Sequence, residues 1–403
     1  MKKTLWLCAL AGSLPLFAEG FAQPKFVPDI SLITDFSYVS RNKEAHEMEG
    51  WAMPGLSHDH GDEHDHEHAS PNANEGFNLN YAELGISAAA DPYFDLNAIF
   101  HLSEAGFEIE EAYAVTRALP AGMGLKAGKF LSGFGRHNEQ HHHAWAFGDA
   151  PLVYNAFLGD HGLNEKGVQL SYVPALPHYL KVGIELLQGE NENSFGISEV
   201  VLDDGTDEKE LEGATAPSLW VAYVKGAWDI KGNTLMLGLS HASGKTHQDH
   251  DDHALIGETD LSGLDVTLHL PLSAYSNVVW QSEYLTRIQE GDRHTAAAQA
   301  SLKKEQAGFY TQLLWRLSPR WRTGVRLDSI TQNDVMMGGN NTGQPDDLQK
   351  TALMAEYNPS EFSRLRLQFN RDESLYEGAA QQSVNTVMLQ FNLSIGAHGA
   401  HAF

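Results

Sequence analysis

Three stretches of the sequence concentrate histidine among acidic residues. They read SHDHGDEHDHEHAS at 57–70, HNEQHHH at 137–143 and HQDHDDH at 247–253. Neutral imidazole nitrogen is a common ligand for zinc and also suits copper and nickel, while carboxylate oxygens fill the remaining positions. The stretches therefore predict binding of a divalent metal ion, with Zn2+ as the first choice and Cu2+ or Ni2+ as alternatives. The candidate ligands are His58, His60, His64, His66, His68, His137, His141, His142, His143, His247, His250 and His253.

The spacing of these histidines predicts weak to moderate, exchangeable binding. Residues two apart on an extended segment project to the same side, so His58 with His60, or His64 with His66, can hold one ion. None of the stretches has the spacing of a closed tetrahedral zinc site. The alternative is that segments of this composition are simply solvated polar loops. Isolated histidines such as His101 are interpreted as structural.

The N-terminus predicts a secretory signal peptide at 1–22, followed by a mature chain at 23–403. Two lysines precede an apolar run that is too short to span a bilayer, and GFA at 20–22 offers a cleavage site. Cys8, the one cysteine of the chain, lies inside this segment. The mature chain is therefore predicted to have no disulfide bond.

Charge and hydropathy exclude several classes of protein. The formal net charge of −26 argues against a nucleic-acid partner and favours attraction of cations. After the signal, no apolar run is long enough for a transmembrane helix, which excludes a helical inner-membrane protein. No serine, histidine and acid are placed as an outer-membrane lipase or protease would need, so an enzyme is not expected.

A period of two residues divides the mature chain into short segments. Their length of about 10 residues suits a tilted strand that crosses an outer membrane. In FYTQLLWRL, for example, apolar side chains alternate with Tyr310, Gln312 and Arg316. Sixteen strands are predicted, at 29–40, 77–90, 93–103, 107–118, 124–134, 165–173, 179–189, 217–229, 234–243, 259–270, 276–287, 306–317, 321–330, 348–358, 362–371 and 383–395.

The connections between these segments alternate in length. Every second one is tight and carries turn residues, as in DP at 91–92 and KGN at 231–233. Most of the others are long and polar, and aromatic residues cluster beside the tight turns as in an interfacial girdle. The pattern predicts an all-β protein: a transmembrane antiparallel β-barrel of about 16 strands in outer-membrane lipid, with short periplasmic turns and long extracellular loops.

This topology places the three histidine stretches in external loops at one mouth of the barrel. The loops are 41–76, 135–164 and 244–258. Loop 135–164 is predicted to fold inward and narrow the channel, because GKFLSGFGR supplies glycines for a sharp departure from the wall. Its histidines have the alternative of bonding to wall residues. A further loop, 190–216, is acidic and is expected to hold a negative potential over the entrance.

The polar faces of the late strands predict a basic wall inside the barrel. Loop 135–164 is expected to bring Glu139, Asp149 and Asp160 opposite this wall, so that the opposed charges create a transverse field. The alternative is that the arginines pair with Asp328, Glu356 and other barrel acids and hold the wall rigid. The predicted basic residues are Arg316, Arg322, Arg326, Lys350, Arg364 and Arg366.

Two long segments carry a family resemblance. GKFLSGFGRHNEQHHHAWAFGDAPLVYNAFLGDHGLNEKGVQLSY at 128–172 and GFNLNYAELGISAAADPYFD at 76–95 resemble a proteobacterial family of zinc-regulated outer-membrane porin-like proteins. The resemblance implies an outer-membrane barrel that is made under zinc shortage and helps metal across the envelope. Some members are labelled TonB-dependent receptors, which carry a plug domain before a barrel of about 22 strands. The first strand here is predicted soon after the signal, so TonB is not an expected partner.

Three functions are compatible with these observations. The first is a passive channel whose loops concentrate zinc or a related ion and pass it along the constriction. The second is a general or anion-selective porin, for phosphate or carboxylates, with incidental histidines. The third is a surface metal-binding barrel without transport. Sixteen-strand porins are usually trimers, which predicts a homotrimer, although the short second external loop lacks the reach to latch a neighbour.

Overall fold

The structure, a computed structural model, describes residues 28–56, 71–104, 106–191, 193–203, 208–250 and 253–396. The predicted signal peptide and His58, His60, His64, His66 and His68 lie outside the described residues, so the predictions for them stay predictions. The helical segments are α1 (Leu152–Leu158) and three 3₁₀ turns at Ala45–Glu47, Pro120–Gly122 and His142–Ala144. No helix of the described ranges is long and apolar enough to cross a membrane.

The rest of the regular structure is β-sheet. Its strands are β1 (Asp29–Arg41), β2 (Gly76–Ala89), β3 (Phe94–Ser103), β4 (Gly106–Thr116), β5 (Met123–Leu131), β6 (Asn164–Tyr172), β7 (Tyr179–Leu187), β8 (Val200–Asp203), β9 (Glu208–Leu211), β10 (Leu219–Ile230), β11 (Asn233–His250), β12 (His253–Pro271), β13 (Asn277–His294), β14 (Gln299–Arg316), β15 (Trp321–Met337), β16 (Asn340–Asn341), β17 (Leu348–Ser360), β18 (Ser363–Glu373), β19 (Tyr376–Glu377), β20 (Ala380–Gln381) and β21 (Val384–Gly396).

Within the described residues, sixteen of these strands form one closed antiparallel barrel. Each pairs with its neighbours along the chain, and β1 pairs with both β2 and β21, which closes the sheet on itself. The short strands β8, β9, β16, β19 and β20 are hairpin pieces beyond the barrel wall. Closure leaves the sixteen described barrel strands without an unpaired edge, which is the condition for β-structure in a membrane. The predicted fold class and strand number are confirmed.

Side-chain alternation separates the outer face of the barrel from its interior. On β18, Leu365 and Leu367 are exposed, whereas Arg366 and Gln368 are 1% exposed. The outer apolar positions face lipid, and the polar positions face the lumen. Tyr275, 69% exposed, lies beside a tight turn as the predicted aromatic girdle requires.

Five consecutive strands, β11 to β15, are 17 to 19 residues long and extend past the predicted external ends. The prediction used the length that crosses a bilayer, but backbone pairing does not stop at the membrane surface. β11 pairs with β12 as far as His250 and His253. The predicted loop 244–258 is therefore wrong, because most of that range is strand.

The third external loop folds into the lumen, as its glycines predicted. The chain leaves β5 at Leu131 and turns through Gly135, whose φ is +62° and whose added Cβ would lie 2.0 Å from the Tyr154 hydroxyl oxygen. Only glycine fits such a position without strain. Farther along the loop, helix α1 begins after Pro151 and ends before Gly159.

An apolar core occupies the lumen around helix α1. Val153, Ala156 and Phe157 are fully buried, and the core extends to wall residues from β5 round to β17. Leu56 of the first external loop and Phe195 of the fourth belong to the same core. A helix that is apolar on nearly all sides is stable only when it is enclosed. The loops therefore fill the part of the lumen in which the predicted constriction lies.

Candidate metal centre

Acidic side chains from adjacent strands meet on the lumen side of the wall. Glu83 of β2 pairs in register with His101 of β3, and β4 follows on the other side. Between β3 and β4 the register shifts, so that one extra residue, Glu110, is accommodated. This β-bulge turns both Glu110 and Glu111 inward, where they are 7% and 4% exposed.

The third loop brings two of the predicted histidines against these carboxylates. His141 Nδ1 lies 3.1 Å from Glu110 Oε2, and His141 Nε2 lies 3.1 Å from Glu111 Oε2. His143 Nδ1 lies 2.9 Å from Glu83 Oε2. His101 Nε2 joins both sides of the group, at 3.3 Å from Glu83 Oε2 and 2.9 Å from Glu110 Oε2. The alternative in which the loop histidines bond to wall residues is thus the observed arrangement.

The geometry of this inner cluster, defined as Glu83, His101, Glu110, Glu111, His141 and His143, suits a metal ion. Glu83, Glu110 and His141 each offer one ligand atom, and these atoms all lie within 4.8 Å of one another. In the described residues, the ion pairs of Glu83 and Glu110 are made with histidines, not with lysine or arginine. Mixed imidazole and carboxylate ligands suit zinc, copper or nickel, whereas calcium and magnesium take oxygen ligands.

The loop histidines differ in protonation. Burial by itself lowers the pKa of His141, but hydrogen bonds with Glu110 and Glu111 outweigh burial and hold that pKa well above its usual value. Burial, with the nearby charge of Arg326, lowers the pKa of His137 to about 3, and burial also lowers the pKa of His142. The raised pKa favours the protonated form of His141 among these carboxylates, and a metal ion bound to its ring would have to displace that proton. His137 and His142 are neutral and keep a lone pair.

The remaining predicted ligands lie in other places. His247 and His250 are on β11 and His253 is on β12, at the external ends of these strands. The rings of His250 and His253 stack at 5.0 Å between centroids. Four barrel strands separate β11 from β4 in the sheet, so these three histidines stand on a different wall from the inner cluster. The structure does not gather them with His141 into one site.

The predicted basic wall is not an open face of the lumen. Arg322, Arg364 and Arg366 surround Glu356, with closest atoms at 2.8, 3.9 and 3.1 Å. Arg364 and Arg366 also donate hydrogen bonds to backbone carbonyls of His143 and Trp145 in the third loop. The alternative of a wall made rigid by paired acids is the observed one. Arg316 lies at the periplasmic end of β14.

The predicted transverse field is wrong for the same reason. Asp149 is in contact with the basic wall, with its Oδ2 at 3.0 Å from Arg326 and 2.6 Å from Lys350. Opposed charges that touch leave no gap across which a field orients a solute. Glu139 pairs with Lys225 at 2.5 Å on another side, and Asp160 lines a cavity near the inner cluster.

Sequence reasoning missed the wall half of the cluster. His101 is isolated in the sequence and is predicted to be structural, and Glu83, Glu110 and Glu111 belong to no predicted site. The available signal was acid on the lumen-facing positions of neighbouring strands, in YAELG and FEIEEAY. That signal identifies strand faces but not their height in the barrel. The strand register and the β-bulge place Glu83, His101 and Glu110 at the same height in the barrel.

Comparisons with known proteins place the chain among relatives of sequence and of fold. No family model matches it. An uncharacterized protein of Aquifex aeolicus (strain VF5) is 44% identical over 388 residues, covering 95% of this chain and 81% of that protein. The anion-selective porin from Comamonas acidovorans has a TM-score of 0.53 at 11% identity, covering 92% of this chain and all (100%) of that one.

An outer-membrane protein of Vibrio cholerae gives a similar result. The loop L8 deletion mutant of OmpT has a TM-score of 0.51 at 11% identity, and the trimer form of in-vitro folded OmpT has 0.51 at 9%. Each comparison covers 92% of this chain and 99% of the other. At such identities the likeness is one of fold. The chain has a porin-like channel fold, that of barrels of the bacterial outer membrane.

Proposed function

This chain belongs to the same protein family as the Aquifex aeolicus protein, and we propose that it is an outer-membrane channel for zinc or a similar divalent metal ion. The observation that supports the proposal most strongly is the inner cluster. Glu83, Glu110 and His141 present ligand atoms within 4.8 Å of one another inside the lumen. A passing transition-metal ion exchanges water for these ligands. That the protein is produced under zinc shortage stays a prediction.

The inner cluster is built for exchange because its ligands come from two parts of the chain. Glu83 and Glu110 stand on the barrel wall, whereas His141 and His143 belong to the third loop. Side chains that approach an ion from separate elements let it gain and lose ligands one at a time. Binding that is strong enough to select an ion and weak enough to release it is what conduction requires.

Electrostatics favours a cation over an anion at this position. The net charge of −26 attracts cations toward the protein. The arginines that would favour an anion are engaged with Glu356, Asp149 and loop carbonyls. The likeness of fold to an anion-selective porin supports the barrel but not its selectivity. An anion porin therefore remains the competing outcome of the tests.

Zinc uptake by metal-starved cells tests the proposal. We expect cells that express the variant E110Q/H141N to take up zinc about tenfold more slowly than cells with the native chain, or slower still, because a metal site loses affinity by such factors when its ligand environment is altered. The matched control is H241N/E305Q. It removes one imidazole and one carboxylate that are 41% and 45% exposed and lie outside the cluster.

Uptake at the native rate in E110Q/H141N would overturn the proposal. Bilayer recordings separate the alternatives: reversal potentials that favour anions, with no effect of zinc, would indicate an anion porin. Zinc binding without uptake or conductance would indicate a surface metal-binding barrel.

We also propose a homotrimer in the outer membrane. OmpT of Vibrio cholerae, which shares the barrel architecture, has a trimer form. We expect light scattering of the detergent-solubilised chain, corrected for bound detergent, to give three times the chain mass. A single chain mass over the working concentration range would contradict this part of the proposal.

A further inference from the structure

A second group of imidazoles lies beside the inner cluster and above it in the barrel. A cavity of about 130 Å³ is lined by His101, His137 and His142 and by aromatic side chains. Ser103, Gly106 and Phe107, at the external ends of β3 and β4, line its outer part. β3 ends at Ser103 and β4 begins at Gly106, so the cavity extends to the external ends of these two strands. We call it the histidine cavity.

Two of its imidazoles have nitrogen atoms that are buried without a hydrogen-bond partner. These atoms are His137 Nε2 and His142 Nδ1, and His137 is 8% exposed. Both rings pack on Trp145, at 4.6 and 4.3 Å between ring centroids. A buried polar atom normally has a partner, so an unpartnered one marks a place where a ligand or ion completes the contacts.

The histidine cavity is continuous with the inner cluster. His101 and Glu110 line the cavity and also belong to the cluster. The ring of His101 lies 5.9 Å from that of His142, and its Nε2 lies 2.9 Å from Glu110 Oε2. His101 therefore lies between His142 and Glu110.

We infer that the histidine cavity is a second metal site, in which His137 and His142 hold a zinc or similar ion before it passes through His101 to the inner cluster. This inference rests on the proposed function. Imidazole nitrogen is a ligand that zinc, copper and nickel share, and calcium and magnesium bind it poorly. Glu108, Glu110 and Asp160 line the cavity with carboxylates, of which Glu108 pairs with Lys129 at 3.4 Å.

The number of zinc ions bound per chain tests the inference. The parent protein carries His58, His60, His64, His66 and His68 replaced by asparagine, so that the first loop does not contribute. Equilibrium dialysis against zinc with metal analysis is expected to show one fewer ion per chain in H137N/H142N than in the parent. E83Q/H141N, which removes cluster ligands that do not line the cavity, is expected to lose a different ion.

Uptake separates the two proposals. We expect H137N/H142N to slow zinc uptake while the inner cluster still binds zinc. If this variant keeps the zinc content and uptake of the parent, the cavity inference fails and the proposed function stands. If E83Q/H141N keeps both, the proposed function fails.

Two further measurements guard against misfolding and against unrelated effects. If the double variant does not fold, H142N alone takes its place, because the ring of His142 is partly exposed. H142N is expected to lose the same ion. H241N/E305Q serves again as the control and is expected to keep all bound zinc. A cavity that holds only water would give equal zinc contents in the parent, H142N and H137N/H142N, and would overturn the inference.

Discussion

Replacing residues 135–161 with a short Gly/Ser turn is expected to raise the single-channel conductance several-fold. The turn can close the hairpin because Leu131 of β5 and Asn164 of β6 are paired partners. The replacement removes helix α1, whose Val153 and Phe157 are fully buried inside the barrel. Lumens of open porins are polar and water-filled. Water would therefore occupy the space now filled by the apolar core.

A matched control is removal of the hairpin β8–β9, which is also closed by paired ends at Val200 and Leu211. This hairpin packs on Ala254 and Ile256 of β12. These residues face away from Leu261 of the lumen core, since side chains of a strand alternate. The control is expected to conduct like the native chain. Equal conductance of the native and the loop-shortened chain, in planar bilayers, would show that the third loop does not limit flow.

Arg326→Met is expected to lower the free energy of unfolding by about 3–5 kcal/mol. Arg326 is 1% exposed and bridges the wall and the third loop, with its Nε at 2.8 Å from Asp328 Oδ2 and a terminal nitrogen at 3.0 Å from Asp149 Oδ2. It also donates a hydrogen bond of 2.8 Å to the backbone carbonyl of Asp149. Methionine fills part of the volume but leaves buried carboxylates with fewer partners.

Arg371→Met provides the comparison. Arg371 and Glu373 form a pair at 2.8 Å whose side chains are 54% and 38% exposed. Exposed pairs contribute about 0–1 kcal/mol, so this variant should unfold almost as the native chain does. Urea titration of the folded protein in lipid vesicles measures both. Equal midpoints for the two variants would contradict the structural role given to Arg326.

The barrel itself was predictable because its determinants are local. A strand whose two faces meet lipid and water alternates with a period of two, and this pattern is contained in consecutive residues. The predicted strand 348–358 corresponds to Leu348–Ser360, and 362–371 to Ser363–Glu373. Turn residues mark the short connections in the same way. The inward path of the third loop followed from its glycines.

The external ends of β11 to β15 were less predictable. Above the membrane the outer face no longer meets lipid, so apolar and polar residues need not alternate there. His247 and His250 then look like loop residues, although backbone pairing continues through them. The length of these strands is decided by their partners across the sheet.

Which side chains meet inside the lumen is decided by the tertiary structure alone. Glu83 and His143 are 60 residues apart in the chain, and they meet only because the barrel closes and the loop descends. A bulge between β3 and β4 decides that Glu110 faces inward. Likewise, whether Arg326 faces open water or Asp149 depends on where the loop comes to rest.

The sequence by itself determined which segments are strands, which face of each strand is apolar, and that the chain closes as an outer-membrane barrel. The tertiary structure decided which polar groups touch inside it. The physical reason is the distance along the chain over which the interactions act. Alternation and turns depend on interactions between residues that are neighbours in the sequence. The position of the docked loop instead depends on packing and ion pairing among side chains that are distant in sequence. Many positions of the loop are compatible with the same local sequence pattern.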